Sequence, residues 1–310
     1  MNTHSNRRLG ITLVLGVSLA VVASLPSSAA PSAPKPLVSA RGAGTQSPDP
    51  NAPHVGSVAG IRRGPGMVLH DRRVTRTFRE LHRQLGAKSE TPDGLIHVYV
   101  GTSFDDLPTL RGTQATQSVA PIKVTTPDTP LYTPTMYPNG DSCVEVATTY
   151  FNNRRIVGAW DWCHAINFAA EVNINRRFLQ SYTQNQNYST QIVKTNPTTN
   201  EWTAYIYNYT TATWQTLYVQ SGTGQTGLQV GWDLYELYSG LKPNGQSYAC
   251  DDLFGKRNES QDIQMLLGSN WVLADPTNAG DDYDVPLSEF HCDSLQYQMI
   301  TDFSHWKAMG

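Results

Sequence analysis

The stretch from Glu201 to Ser239, EWTAYIYNYTTATWQTLYVQSGTGQTGLQVGWDLYELYS, decides the fold class. Trp202, Ala204, Ile206 and Asn208 alternate with Thr203, Tyr205, Tyr207 and Tyr209, the period of two that a half-buried strand requires. Tyr209-Thr210-Thr211-Ala212-Thr213 supplies the turn, and Trp214 to Gln220 returns in β-branched and aromatic residues. A polar, Gly-rich loop from Ser221 to Gly227 leads into a third strand, Gln229 to Tyr238. There Trp232, Leu234, Glu236 and Tyr238 share one side, and Asp233, Tyr235 and Leu237 the other. A carboxylate in mid-strand between such neighbours faces either solvent or an aromatic-lined groove. In a groove, loss of water favours the protonated form of a carboxyl group and makes it a usable proton donor.

Strands continue on both sides of this stretch. Ser142 to Phe151 (SCVEVATTYF) alternates, with Cys143, Glu145, Ala147, Thr149 and Phe151 on one side. Asn152-Asn153-Arg154 turns the chain, and Ile156 to Cys163 returns with Trp160 and Trp162 together and Asp161 between them. Glu171 to Ile174, Thr190 to Thr195, Trp271 to Ala274 and Leu295 to Ile300 are further strand candidates, and Glu259 to Leu267 is the one helix candidate after Leu131. About eight to ten strands over residues 131–310 predict an all-β, antiparallel β-sandwich of the jelly-roll kind.

The amino-terminal part reads differently. Arg7 and Arg8 precede the apolar run Leu9 to Val22 and the small residues ending at Ala30, the pattern of a secretory signal over residues 1–30. The run is shorter than the roughly 20 residues a membrane span needs, so no membrane association is expected after cleavage, and the protein is read as secreted. Residues 31–65, rich in Pro, Ala, Gly and Ser, predict a disordered linker. Residues 66–130 form a basic segment with a helix over Met67 to Leu85, a short strand over Leu95 to Val100 (LIHVYV) and a Thr/Pro-rich linker from Pro108. His70, His82 and His97 lie here and are read as solvated surface histidines.

Charge follows the same division. Pro31 to Asp128 carries twelve Lys/Arg against eight Asp/Glu, and Thr129 to Gly310 carries nine against eighteen. A small α+β or partly disordered basic module ahead of an acidic domain suits an activation propeptide that masks its partner electrostatically. The acidic domain lacks the basic footprint of a nucleic-acid binder and suits work at low pH. Its four cysteines, Cys143, Cys163, Cys250 and Cys292, predict disulfides in a secreted chain. A single turn sets the strands of Cys143 and Cys163 side by side, which leaves Cys250 with Cys292. No C-x-x-C or C-x-x-H pair occurs, so neither metal nor cofactor is expected. Asn187, Asn208 and Asn258 head glycosylation sequons.

Two glutamates in mid-strand, Glu145 and Glu236, are the candidate catalytic pair: one carboxylate activates water while its partner polarises the carbonyl. The same pair would suit a glycoside hydrolase. Trp160, Trp162, Trp232 and Tyr238, with Gln191 and Gln229 as amide partners, would line the substrate, a polypeptide or a polysaccharide. A non-catalytic, lectin-like carbohydrate-binding domain is the alternative that needs no chemistry. No G-x-S-x-G elbow accompanies His164, His291 or His305.

Asp141-Ser142-Cys143 opening a strand, Ala159-Trp160-Asp161-Trp162, the turn through Tyr207-Asn208-Tyr209-Thr210-Thr211 and the closing strand Trp232 to Tyr238 follow in an order that resembles the eqolisins, secreted glutamic peptidases. The resemblance spans Asp141 to Ser239 and implies a concanavalin-like jelly roll, a propeptide, acid action and a catalytic role for Glu236. Where that family places its catalytic glutamine, this chain has Thr149. Glu145 on the same face allows a Glu/Glu pair, as in the distantly similar neprosin-like peptidases.

Overall fold

A computed structural model describes residues 47–64, 89–90, 95–125, 131–151, 153–164, 166–222 and 229–310. The signal segment, the helix over Met67 to Leu85, His70 and His82 lie outside the described residues. In chain order the strands are β1 (His54–Ser57), β2 (Arg62–Arg63), β3 (Ser89–Glu90), β4 (Leu95–Phe104), β5 (Leu110–Ser118), β6 (Leu131–Asn139), β7 (Val144–Phe151), β8 (Arg154–Asp161) and β9 (Ile166–Asn173). They continue with β10 (Asn187–Asn196), β11 (Glu201–Asn208), β12 (Thr213–Ser221), β13 (Val230–Gly240), β14 (Arg257–Leu267), β15 (Asn270–Leu273), β16 (Ala279–Gly280), β17 (Gln296–Thr301) and β18 (His305–Met309). Helices are short: α1 (Arg176–Ser181), capped by Asn175 accepting from the Phe178 N–H, and α2 (Ala249–Leu253).

The strands make two nine-stranded sheets. The first runs β1-β12-β11-β10-β5-β14-β18-β17, with β15 on β14; the second runs β16-β4-β13-β6-β7-β8-β9-β2, with β3 on β4. Neighbours are antiparallel except β1, which lies parallel to β12. The all-β sandwich predicted from the strand period is therefore what the chain builds, with more strands than anticipated.

Alternation sorts the side chains. Trp202, Ala204 and Ile206 of β11 meet Val144, Val146 and Tyr150 of β7 and Tyr235 and Leu237 of β13 in the core between the sheets. Each large side chain removed from water there contributes roughly 1.5–3 kcal/mol. A polar chain crosses this core: Thr148 bonds the Tyr188 hydroxyl (2.8 Å), which donates to Gln117 Oε1 (2.8 Å), and Gln117 Nε2 donates to Asp233 Oδ2 (2.9 Å). Trp306 Nε1 completes it on Asp233 Oδ1 at 2.8 Å. The disulfides Cys143–Cys163 and Cys250–Cys292 are the pairing that the strand layout predicted.

Three local expectations differ. Residues 47–64 of the anticipated linker are ordered against the sandwich, with Val58 N–H donating to the Thr216 carbonyl at 3.0 Å. Leu110–Ser118, read as linker, is β5, hydrogen-bonded to β10 and β14; β4 likewise pairs β13 along ten residues, so the sandwich takes in chain well before residue 131. Glu259 to Leu267, read as a helix, belongs to β14, where pairing to both β5 and β18 overrides its helix-forming composition.

Candidate functional site

The face of the second sheet turned away from the core carries a second apolar cluster: Tyr99 from β4, Trp232, Leu234 and Tyr238 from β13, Tyr137 from β6, Ala147 and Phe151 from β7, and Trp160 from β8. These are the outward positions of strands whose inward positions fill the core, so period-two patterning alone puts them together. Tyr283 and Val285 pack against one end of this cluster, and the Val285 N–H donates to the Tyr99 carbonyl at 3.1 Å.

Glu236 lies in this face with no exposed surface. Its Oε1 is 2.7 Å from His97 Nε2 and accepts from the Tyr238 hydroxyl at 2.6 Å. The register explains the triad: Tyr238 pairs His97 and Glu236 pairs Tyr99 across β13 and β4. The two rings stack at 4.2 Å with an interplanar angle of 8°, which fixes the imidazole edge towards the carboxylate. His97, read from sequence as a surface histidine, is 3% exposed, because β4 lies inside the sheet rather than in a solvated segment. The signal was present in LIHVYV: His97 and Tyr99 take the side opposite Ile96, Val98 and Val100.

Glu145 shares the face and is also fully buried. It accepts from the Thr135 hydroxyl and, at 2.8 Å, from Trp162 Nε1. Its place along the sheet is different. Leu237 pairs Leu131 and Tyr132 pairs Thr149, so Glu236 and Thr149 fall in one row across β13, β6 and β7. Glu145 is four residues further along β7, in the row of Trp232, Tyr137 and Trp160. At about 3.4 Å per residue and about 4.8 Å per strand, the Cα atoms of Glu145 and Glu236 are about 17 Å apart, whereas Thr149 is about 10 Å from Glu236. Glu236 is moreover held towards His97, away from Glu145. Among the described residues no hydrogen bond links the two glutamates.

Thr149 Oγ1 and Trp232 Nε1 are buried polar atoms of this face with no hydrogen-bond partner among the described residues. Buried groups of this kind are uncommon and mark places where a ligand can complete the bonding. Asp284, which sequence reasoning did not single out, flanks the face: its Oδ1 accepts from the Gly101 N–H of β4 at 2.8 Å, and burial pushes its pKa up to about 6. Its loop position carries no periodic signal.

The two candidate glutamines lie elsewhere. Gln191 is on the outer face of the first sheet, bonded to His54 and Gln114, on the opposite side of the sandwich from Glu236. Gln229 is exposed just before β13, its carbonyl accepting from the Gly140 N–H. Asp161 faces away from Trp160 and Trp162 and ties down the loop after β8, accepting from the backbone N–H groups of Cys163 and His164, from Tyr218 and from Gln220. Among the described residues no group of three or more His, Cys, Asp or Glu could hold a metal ion, and no helix is long and apolar enough to cross a membrane.

No protein-family model and no curated protein matches the chain. Among solved structures it is distantly similar, at the level of fold, to scytalido-glutamic peptidase with a transition state analog inhibitor, at 10% identity and a TM-score of 0.39, covering 68% of this chain and 98% of that one. It is similar likewise to SCP-B, a member of the eqolisin family of peptidases, in a complex with the tripeptide Ala-Ile-His, at 11% identity and a TM-score of 0.40, covering 69% and 98%.

Proposed function

We propose that this chain is a secreted, acid-acting hydrolase of the glutamic-peptidase type, with Glu236 as the group that moves protons. The observation that carries the reading is the Glu236–His97–Tyr238 cluster, buried in an aromatic face beside two donors, Thr149 Oγ1 and Trp232 Nε1, that have no partner among the described residues. The Tyr238 hydroxyl and the imidazole orient Oε1, so Glu236 would take a proton from the attacking water and return it to the leaving amine. The Thr149 hydroxyl, across β6 in the same row, is placed to donate to the carbonyl oxygen as it becomes negative, the part a glutamine plays in the family that the sequence resembles. Glu145 and the Trp160, Trp162 and Trp232 strip would hold more distant parts of an extended polypeptide, with Trp232 Nε1 donating to its backbone.

Acid action is supported by two buried carboxyls. Asp233 and Asp284 are pushed up to about 7 and about 6 by burial, so both are neutral at low pH, where their burial costs least. Secretion is supported by the amino-terminal pattern and the two disulfides. The test is incubation of the secreted protein at pH ~4 with an acid-unfolded protein in one vessel and a soluble polysaccharide in another, followed by mass spectrometry. New peptide termini support the proposal. Oligosaccharide release would replace it with glycoside hydrolysis, and retention on the polysaccharide without turnover would replace it with carbohydrate binding.

A further inference from the structure

The edge of the Glu236 face at β8, β9 and β2 carries the cations that the rest of the face lacks. In the second sheet β3, β4, β6, β7, β9, β13 and β16 contain no Lys or Arg; its arginines are Arg62 and Arg63 of β2 and Arg154 and Arg155 of β8. Arg62 pairs Glu171 and Arg154 pairs Phe151, which turns both onto the Glu236 face. Arg155 lies the other way, on the Ala120 carbonyl at 3.4 Å. The first two guanidinium groups converge. Nη2 of Arg154 donates to Glu171 Oε1 (3.2 Å) and to Asn173 Oδ1 (3.0 Å). Nη2 of Arg62 donates to the same two oxygens, at 3.3 Å to Asn173.

These charges do not cancel. Glu171 is fully buried and brings one negative charge to two arginines, whose side chains keep 37% and 30% of their surface. One arginine is enough to neutralise a buried carboxylate, so the second leaves a positive charge over. A guanidinium offers five N–H groups in a planar fork that matches a carboxylate. Among the described residues only Nη2 of each arginine is bonded, and Arg62 Nε is buried with no partner there. Glu171 and Asn173 thus fix one corner of each fork and leave the remaining donors to a ligand. The position is equally defined. Ile156 pairs Thr149 on one side and Asn173 on the other, so Asn173 extends the row of Glu236 and Thr149. It stands two strand spacings beyond Thr149, about 10 Å, the length of about three residues of extended peptide.

The geometry points to a subsite for a carboxylate of the bound polypeptide at this edge, with Arg62 and Arg154 as its ligands and Glu171 and Asn173 as the residues that position them. The carboxylate belongs to an acidic side chain or to a chain terminus about three residues beyond the bond held between Glu236 and Thr149. Elsewhere the face turns Glu145 and Glu236 towards the substrate and repels such a group, so the arginine pair sets where along the peptide it is accepted. The subsite rests on the hydrolase reading for its place along the substrate but not for its charge preference.

The test uses the full chain at pH ~6, where peptide carboxyl groups are ionised, and reads binding by anisotropy. The probes are fluorescein-labelled peptides of about twelve Ala, Thr and Tyr residues with one central Glu or Gln. Three forms are compared: Glu with an amidated end, Gln with an amidated end, and Gln with a free end. The amidated Glu peptide or the free-ended Gln peptide binds at least about tenfold more tightly than the amidated Gln peptide. The first result makes an acidic side chain the ligand, and the second a chain terminus. Arg62→Gln and Arg154→Gln each keep one arginine on Glu171, and each brings the ratio to within about twofold of parity. Unchanged binding of the amidated Gln peptide reports that their fold is intact. A parent ratio below about threefold, a ratio that survives in either variant, or no binding of any peptide overturns the subsite. Fragment release at pH ~4 is scored separately. Discrimination without fragments keeps the subsite and removes the hydrolase reading; fragments without discrimination do the reverse.

Discussion

Asp233→Asn probes how the interior of the sandwich is wired. The Asp233 carboxyl is fully buried between the sheets, with Trp306 Nε1 on Oδ1 at 2.8 Å and Gln117 Nε2 on Oδ2 at 2.9 Å, and burial pushes its pKa from 3.8 to about 7. A carboxyl whose folded pKa lies above its unfolded value keeps a proton in the folded state that the unfolded chain has released. Its stabilising contribution is therefore full below pH ~4 and is lost as the pH rises to about 7. A shift of about three pH units at 1.36 kcal/mol each makes the loss about 4 kcal/mol. Asparagine fits the same place without titrating. Its oxygen takes the Trp306 N–H, its amide donates to Gln117 once that side chain turns over, and Gln117 then donates to the Tyr188 hydroxyl, whose proton passes to Thr148. Urea unfolding at several pH values from 4 to 7 is the assay. The parent should lose about 4 kcal/mol more than the variant across that range. Parallel curves, within about 0.5 kcal/mol, would refute the argument that burial governs this carboxyl.

Other perturbations give distinct outcomes. A Cβ at Gly231 would stand 2.0 Å from the Pro138 carbonyl oxygen and 2.2 Å from that of Tyr137. Gly231→Ala should thus separate β13 from β6, cost about 3 kcal/mol or more and lower Tm by on the order of 10 °C in a calorimetric scan. Removing the Cys250–Cys292 bridge, which closes a sequence separation of 42, should cost about 4 kcal/mol, against about 3 for Cys143–Cys163 with its separation of 20, measured by urea titration of Cys→Ser pairs. Thr149→Val removes a buried hydroxyl with no partner among the described residues, so stability should hold while kcat falls about 100-fold at little change in KM. A change in KM alone would make Thr149 a binding residue only.

The strands were legible because each exposes its period locally. Trp202, Ala204 and Ile206, or Trp232, Leu234, Glu236 and Tyr238, declare their faces without knowledge of any neighbour. The disulfides were legible for the same reason, since one turn sets the strands of Cys143 and Cys163 side by side. What sequence could not supply was register. Whether Glu145 or Thr149 stands opposite Glu236 depends on the register of β6 against both β13 and β7, a non-local property. His97 was misplaced because a basic, proline-flanked context outweighed a six-residue strand pattern that was itself correct. Gln191 was misassigned because alternation gives the face of a strand but not the sheet to which the strand belongs. Glu259 to Leu267 reads as a helix by composition, and only pairing on both edges makes it a strand.

The central claim is that Glu236 moves the proton in peptide hydrolysis. The direct measurement compares the rate at which fragments appear from an unfolded protein at pH ~4 with the parent chain and with Glu236→Gln, both shown to unfold at the same urea concentration. Glutamine keeps the size and the hydrogen bond from Tyr238 but cannot exchange a proton, so the rate should fall by about 100-fold or more. An undiminished rate in the folded variant would contradict the account and move the chemistry to another group on the sandwich.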